Sequence, residues 1–236
     1  IMSLNHSPKI ITDGLVLCLD AADPKSYNGS GTTWFDRSGN GFDFTLQNSP
    51  TFNSDNKGNI SFDGTNQWCE RNNLGLSNHT KEVWFRSDDD TQGPGNGGND
   101  IITILGPYIS AAGAAGKYTY IGIFNTNLTF RIDDGASSHQ NIHTQDYSAD
   151  IWYCAVVTYD ATSGVAKAYL NGEEVGLRNF TTGITFDSEK EYIGKSDNGQ
   201  NESFIGSVAS VKMYNRPLSA DEIKQNYNAT KGRFEL

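Results

Sequence analysis

The chain has 236 residues, 36% hydrophobic and 19% charged, with 25 Gly, 12 Phe, 11 Tyr and 4 Trp. Its 18 Lys and Arg against 28 Asp and Glu leave a net charge of −10, and with no basic run this excludes a nucleic-acid binder that neutralises phosphates with clustered cations. No apolar stretch approaches the roughly 20 residues that span a bilayer and no basic-then-apolar leader opens the sequence, so neither membrane insertion nor an export signal is expected.

In chain order, residues 1–12 carry Ile1, Met2, Leu4, Ile10 and Ile11 without a strand pattern and read as an N-terminal arm; one domain is expected over 13–236. Strands are predicted at Leu15–Asp20, Ile60–Asp63, Glu82–Arg86, Ile101–Leu105, Tyr118–Phe124, Leu128–Ile132, Trp152–Tyr159, Val165–Leu170, Glu173–Leu177, Glu191–Ile193 and Ser207–Tyr214. Short runs bounded by Gly, Asn, Asp or Pro at this spacing predict an all-β, antiparallel two-sheet sandwich. Asp88–Asp100, acidic and then Gly-rich, and the polar Ile132–Asp150 are predicted loops. Asn171-Gly172 separates two alternating runs and supplies the two positive φ angles of a type I′ hairpin turn. One helix is predicted, from about Ala220 to Asn228. Ser219 and Glu222 match a capping box, Leu218 and Ile223 the accompanying hydrophobic staple, and Ile223 and Tyr227 share one apolar face.

Several motifs fail their own chemistry. Gly93-Pro94-Gly95-Asn96-Gly97-Gly98 matches a dinucleotide fingerprint, but it leads into the strand-like Ile101–Leu105 and not into a helix whose N-terminus could face a pyrophosphate. Gly194-Lys195-Ser196 resembles the end of a phosphate loop, yet the glycine required earlier is Glu189. His139 and His143 have a zinc spacing only if helical, and their surroundings are loop-like or strand-like. Cys18, Cys69 and Cys154 cannot all pair and read as buried or half-buried thiols. Asn28-Gly29-Ser30 and Asn228-Ala229-Thr230 match a glycosylation acceptor pattern that an Asn-, Ser- and Thr-rich chain generates by chance.

The segments DGLVLCLDAADPKSYNGSGTTWFDRSGNGFDFTL (Asp13–Leu46) and FIGSVASVKMYNRPLSADEIKQNYNATKGRF (Phe204–Phe234) resemble the opening and closing segments of laminin-G-like domains in the concanavalin A-like lectin/glucanase superfamily. Ile60–Trp68, Glu82–Arg86 and Trp152–Val175 fit the same resemblance in order, most closely the single-domain versions in virion proteins of tailed phages. It implies the jelly-roll sandwich. It also implies a non-enzymatic structural or adhesion component, a capsid decoration or tail-associated protein located in the virion and contacting other virion proteins, with host-surface glycans as candidate ligands. A cellular carbohydrate-binding lectin and a glycoside hydrolase are the competing readings, and a homo-oligomer is compatible with each. Glucanases of the superfamily carry alternating acids on one strand, which sets two carboxylates on one face; no such strand exists here, and the adjacent Glu173 and Glu174 would point to opposite faces.

Candidate glycan-stacking aromatics are Trp34, Trp68, Tyr108 and Tyr147. For Trp34 the competing reading is structural, with Asp36 accepting amides of the Ser38–Gly41 turn while the indole packs over the sandwich. No cofactor is required. Calcium is the one candidate ion, since Asp88, Asp89, Asp90 and Asp100 offer hard oxygen ligands and some laminin-G-like domains hold calcium at the sandwich rim; the same acids could equally be solvated charges that discourage edge pairing.

Overall fold

Side chains alternate along a strand, so each strand offers one face to a neighbour layer and one away from it. A computed structural model describes residues 8–92, 101–107, 117–134, 140–180, 184, 190–196 and 203–236. It contains sixteen strands among those residues: β1 Leu15–Asp20, β2 Thr33–Trp34, β3 Phe44–Gln47, β4 Thr51–Asn53, β5 Asn59–Asp63, β6 Trp68–Asn72, β7 His79–Ser87, β8 Ile101–Gly106, β9 Lys117–Phe124, β10 Asn127–Asp134, β11 Gln140–Gln145, β12 Trp152–Asp160, β13 Val165–Leu170, β14 Glu173–Asn179, β15 Lys190–Ser196 and β16 Ile205–Tyr214. Helix α1, Ala220–Thr230, follows β16.

The strands form two antiparallel sheets. In the first the order is β14-β13-β12-β7-β16-β5-β4, with β1 also paired to β16. In the second it is β11-β10-β9-β8-β15-β6-β3-β2. The inner faces meet in one core: Leu17, Leu19, Ile60, Phe62, Val83, Phe85, Val157 and Val211 from the first sheet, and Phe44, Leu46, Cys69, Ile121, Ile123, Phe130 and Ile193 from the second. Burial of this apolar area is the main stabilising term. A polar tie crosses the core as well, where the buried Lys81 ammonium of β7 donates to Glu191 of β15 (2.6 Å) and to the Thr119 carbonyl of β9 (2.9 Å).

The first sheet's outward face carries Trp84, Trp152, Cys154, Val156, Tyr169 and Tyr214, covered by Leu218, Ile223 and Phe234. The capping box forms as predicted, and α1 runs two residues past the predicted end. Its Asn226 side chain is buried and joins three elements: the amide donates to Glu82 Oε2 and to the Tyr214 hydroxyl, both at 2.9 Å, and accepts from the Ile11 N–H at 2.8 Å. The arm therefore does not stand apart over its whole length. Lys9 accepts from Gln225, Ile11 also accepts from Tyr214, and Ile11 packs against the Trp84 cluster; residues 1–7 lie outside the described residues.

The region 132–150 is not all loop, because Gln140–Gln145 pairs with β10 as an edge strand whose Ile142 reaches the core. β2, β3, β4 and β6 were not expected either. The Asn171-Gly172 turn has φ of 52° and 81°, as its hairpin requires. All three cysteines are free. Burial pushes the Cys18 thiol up to about 11 and also raises Cys69 and Cys154, so none has the lowered pKa of a nucleophile.

Candidate functional site

Whereas α1 covers one sheet, no helix packs on the outward face of the second sheet among the described residues. Cys69 points into the core, so its neighbours Trp68, Glu70 and Asn72 face outward. Register adds partners to them: Thr45 lies opposite Glu70, Tyr192 opposite Glu70 on the other side, and Lys190 opposite Asn72. Gly194, at φ 81°, then breaks the alternation of β15. A Cβ there would stand 3.0 Å from the Phe62 ring, so this position needs glycine on both counts. The kink aims Lys195 outward, with its Nζ 3.8 Å from the centre of the Trp68 ring and 4.9 Å from that of Tyr192.

Glu70 is the hub. Its Oε2 accepts from the Trp68 indole N–H (2.9 Å) and its Oε1 from Lys190 Nζ (2.7 Å). Burial works to raise its pKa, but the bonds from Lys190 and Trp68 outweigh this and hold the carboxyl below its usual range. Burial pulls the Lys195 ammonium down, opposed by Glu70. Beside this group opens a cleft of about 330 Å³ lined by Gly41, Asp43, Thr45, Glu70, Arg71, Asn72 and Lys190. The Arg71 guanidinium lies 4.6 Å over the Phe42 ring; burial lowers its pKa, against the pull of Glu191, Asp36 and Asp43. Farther along the same face, Arg131 lies over Phe124 (4.8 Å) and Tyr120 (5.5 Å). Such a surface, an aromatic plane ringed by fixed donors and acceptors, can hold a polar ring-shaped ligand.

Of the sequence candidates among the described residues, only Trp68 falls here, and it stays partly open to solvent. Trp34 is fully buried in the core and offers no face to a ligand. The structural reading of its motif holds: Asp36 Oδ1 accepts from the Cys18 and Ser38 amides (2.9 and 2.8 Å), and Oδ2 from the Ser38 hydroxyl and the Phe42 amide (2.7 and 3.1 Å). Burial opposes the Asp36 charge, and these bonds prevail and lower its pKa. Tyr147 is buried too, its hydroxyl donating to the Asp89 carbonyl (3.0 Å) and pushed up to about 12 chiefly by burial. Its place is that of a clip on the 88–92 turn. Tyr108 and Asp100 lie outside the described residues.

Asp88, Asp89 and Asp90 do not converge as calcium ligands. Asp88 Oδ1 is gripped by the Arg86 guanidinium (2.8 and 3.1 Å), while Asp89 Oδ1 accepts from the Thr91 amide and hydroxyl (2.8 and 2.6 Å). Among the described residues no three His, Cys, Asp or Glu side chains are grouped to hold a metal, so Asp88, Asp89 and Asp90 do not by themselves form the ion's site. His143 sits in β11 against Gln145 (3.0 Å), and His139 is outside the described residues. A second cleft, about 590 Å³ between β12, β13 and the start of α1, is lined by groups already engaged: Lys167 with Glu174, Arg216 with Glu222, and Asp160 with Ser163. Its aromatic, Tyr169, is buried.

Glu70, Arg71, Lys190 and Tyr192 were not singled out from sequence, and Lys195 only within the phosphate-loop pattern that fails. The one available signal was the alternation of Trp68-Cys69-Glu70, an apolar thiol between two residues able to face solvent.

A family model described as the concanavalin A-like lectin/glucanases superfamily, Laminin_G_3, matches residues 63–224. No curated protein sequence matches the chain significantly. Among solved structures, the botulinum neurotoxin type G receptor binding domain superposes with a TM-score of 0.67 at 17% identity, over 91% of this chain and 51% of that one. The binding domain of botulinum neurotoxin DC in complex with SialylT gives 0.71 at 13%, over 93% and 52%. Domain 4 of AbnA, a GH43 extracellular arabinanase from Geobacillus stearothermophilus, in complex with arabinotriose, gives 0.67 at 13%, over 90% and 98%. The chain thus spans about half the length of the toxin domains and nearly all of the arabinanase domain.

Proposed function

Because the chain belongs to the laminin-G-like family of the concanavalin A-like lectin/glucanases superfamily, we propose that it is a non-catalytic carbohydrate-binding module whose ligand rests on Trp68 and reaches into the adjoining cleft. The observation that carries this reading is the partly open Trp68 indole, held at its N–H by an ionised Glu70 and covered on one side by Lys195. A sugar's apolar face suits the aromatic plane and its hydroxyls suit the surrounding charges. The named complexes of two fold neighbours, with arabinotriose and with SialylT, are in keeping with it.

Glu70 supports binding without turnover. A glycosidase's general acid needs a raised pKa, and Lys190 and Trp68 lower that of Glu70. Titration of the purified chain against an oligosaccharide panel tests both halves. Trp68→Ala should weaken binding by up to about tenfold, given roughly 0.5–1.5 kcal/mol for an aromatic contact, while Tyr147→Phe should not. Equal affinity in Trp68→Ala, or release of reducing sugar by the isolated chain, would overturn the reading.

The setting we propose is the surface of a phage particle. Its support is the likeness of Asp13–Leu46 and Phe204–Phe234 to phage versions of the domain, and a repeated lattice would multiply weak glycan contacts. Purified particles should contain the chain in many copies; particles without it would remove this setting and leave the glycan reading intact.

A further inference from the structure

We infer that the cleft beside Trp68 selects neutral sugars carrying adjacent hydroxyls and rejects glycans that bear a carboxylate. The inference rests on the proposed carbohydrate site and names its ligand class. Two carboxylates, Asp43 and Glu70, and two cations, Arg71 and Lys190, line the cleft, so the charges of its wall balance; Lys195, outside that wall, is turned onto the Trp68 and Tyr192 rings. Lys190 donates to Glu70 (2.7 Å). Among the described residues Arg71 pairs with no acid but lies in the fields of Glu191, Asp36 and Asp43, and its Nε and Nη1, which have no hydrogen-bond partner there, are buried out of a ligand's reach.

The exposed polar groups are of another kind. Asp43 Oδ1 accepts from the Asp36 amide (2.8 Å), and among the described residues nothing donates to its Oδ2. Thr45 and Asn72 are exposed on the same outward face. An acceptor-only carboxylate, a hydroxyl and an amide match hydroxyl groups, each of which both donates and accepts. A ligand carboxylate could give Asp43 nothing. It would meet Asp43 and Glu70 at the wall, with the buried Asp36 and Glu191 behind it, and the field of a chain with net charge −10 would slow its approach.

The experiment is calorimetric titration of the full chain with arabinotriose, cellotriose and triacetylchitotriose against sialyllactose and trigalacturonate, each at low and high salt. At least one neutral trisaccharide should bind about tenfold tighter than either acidic one, with an affinity that salt hardly changes. Asp43→Asn keeps an acceptor for the Asp36 amide while removing the charge. It should bind the acidic sugars better and the neutral ones slightly worse. Acidic trisaccharides binding as tightly as neutral ones, with affinity that falls as salt rises, would overturn the selectivity and leave the carbohydrate site standing. No binding by any of the five would overturn both, and an Asp43→Asn profile identical to the parent's would show that Asp43 plays no part in selection.

Discussion

Glu82 shows how much one buried side chain can organise. Its Oε1 accepts from Lys212 (2.7 Å) and its Oε2 from Asn226 (2.9 Å), and all three residues are buried. Burial works against the Lys212 ammonium, but the Glu82 carboxylate outweighs it and raises the pKa, so Lys212 keeps its charge. Removing one partner of such a pair strands the other charge. Lys212→Met alone should therefore cost about 3–5 kcal/mol in urea unfolding, and Glu82→Leu with Lys212→Met should cost clearly less than the sum of the single changes. Strict additivity would show the charges to be independent. Sequence reading found Asp36 and missed Glu82 for one physical reason: the Ser38 and Phe42 donors to Asp36 lie within six residues, whereas the partners of Glu82 are 130 and 144 residues away.

Helix α1 is an element whose start was legible because a cap is local chemistry. Ser219→Ala should cost about 0.5–2 kcal/mol by leaving the Glu222 amide without its acceptor. Glu222 adds a pH dependence. The Arg216 guanidinium, bound to it at 2.6 and 2.9 Å, and the Ser219 bonds hold its pKa at about 2 against an ordinary 4.5. The carboxylate's contribution is thus present above the unfolded value and is lost as pH falls from about 5 towards 2. In Glu222→Gln the urea midpoint should vary less with pH over that window than in the parent; parallel profiles would remove Glu222 as a source of acid sensitivity. The strands that sequence missed are of the opposite kind. β2, β3 and β4 have two to four residues, too few to show a period, and β11 has a single apolar side chain, Ile142. Pairing with longer neighbours makes them strands.

For the whole molecule, the C-terminus decides whether the outward face of the first sheet is closed. The Phe234 ring lies 4.2 Å from Trp84 and 4.7 Å from Trp152, and Arg233 binds Asp20 (2.6 Å) and the carbonyls of Asn56 and Gly58. Phe234→Ala should cost about 3–5 kcal/mol and shift tryptophan emission to the red as water reaches Trp84 and Trp152. An unchanged melting temperature and spectrum would make the segment dispensable. By itself the sequence determined the two-sheet all-β class, the Asn171-Gly172 hairpin, the Asp36 turn and the capped helix, because each is set by alternation or by bonds spanning a few residues. Only the tertiary structure decided which aromatics meet solvent. Trp34 and Trp68 read alike as aromatics beside predicted turns or loops, yet one is fully buried and the other partly open. Alternation gives every strand two faces without saying which one another layer will cover, and that depends on sheet order, on register and on the kink at Gly194 that brings Lys195 to Trp68.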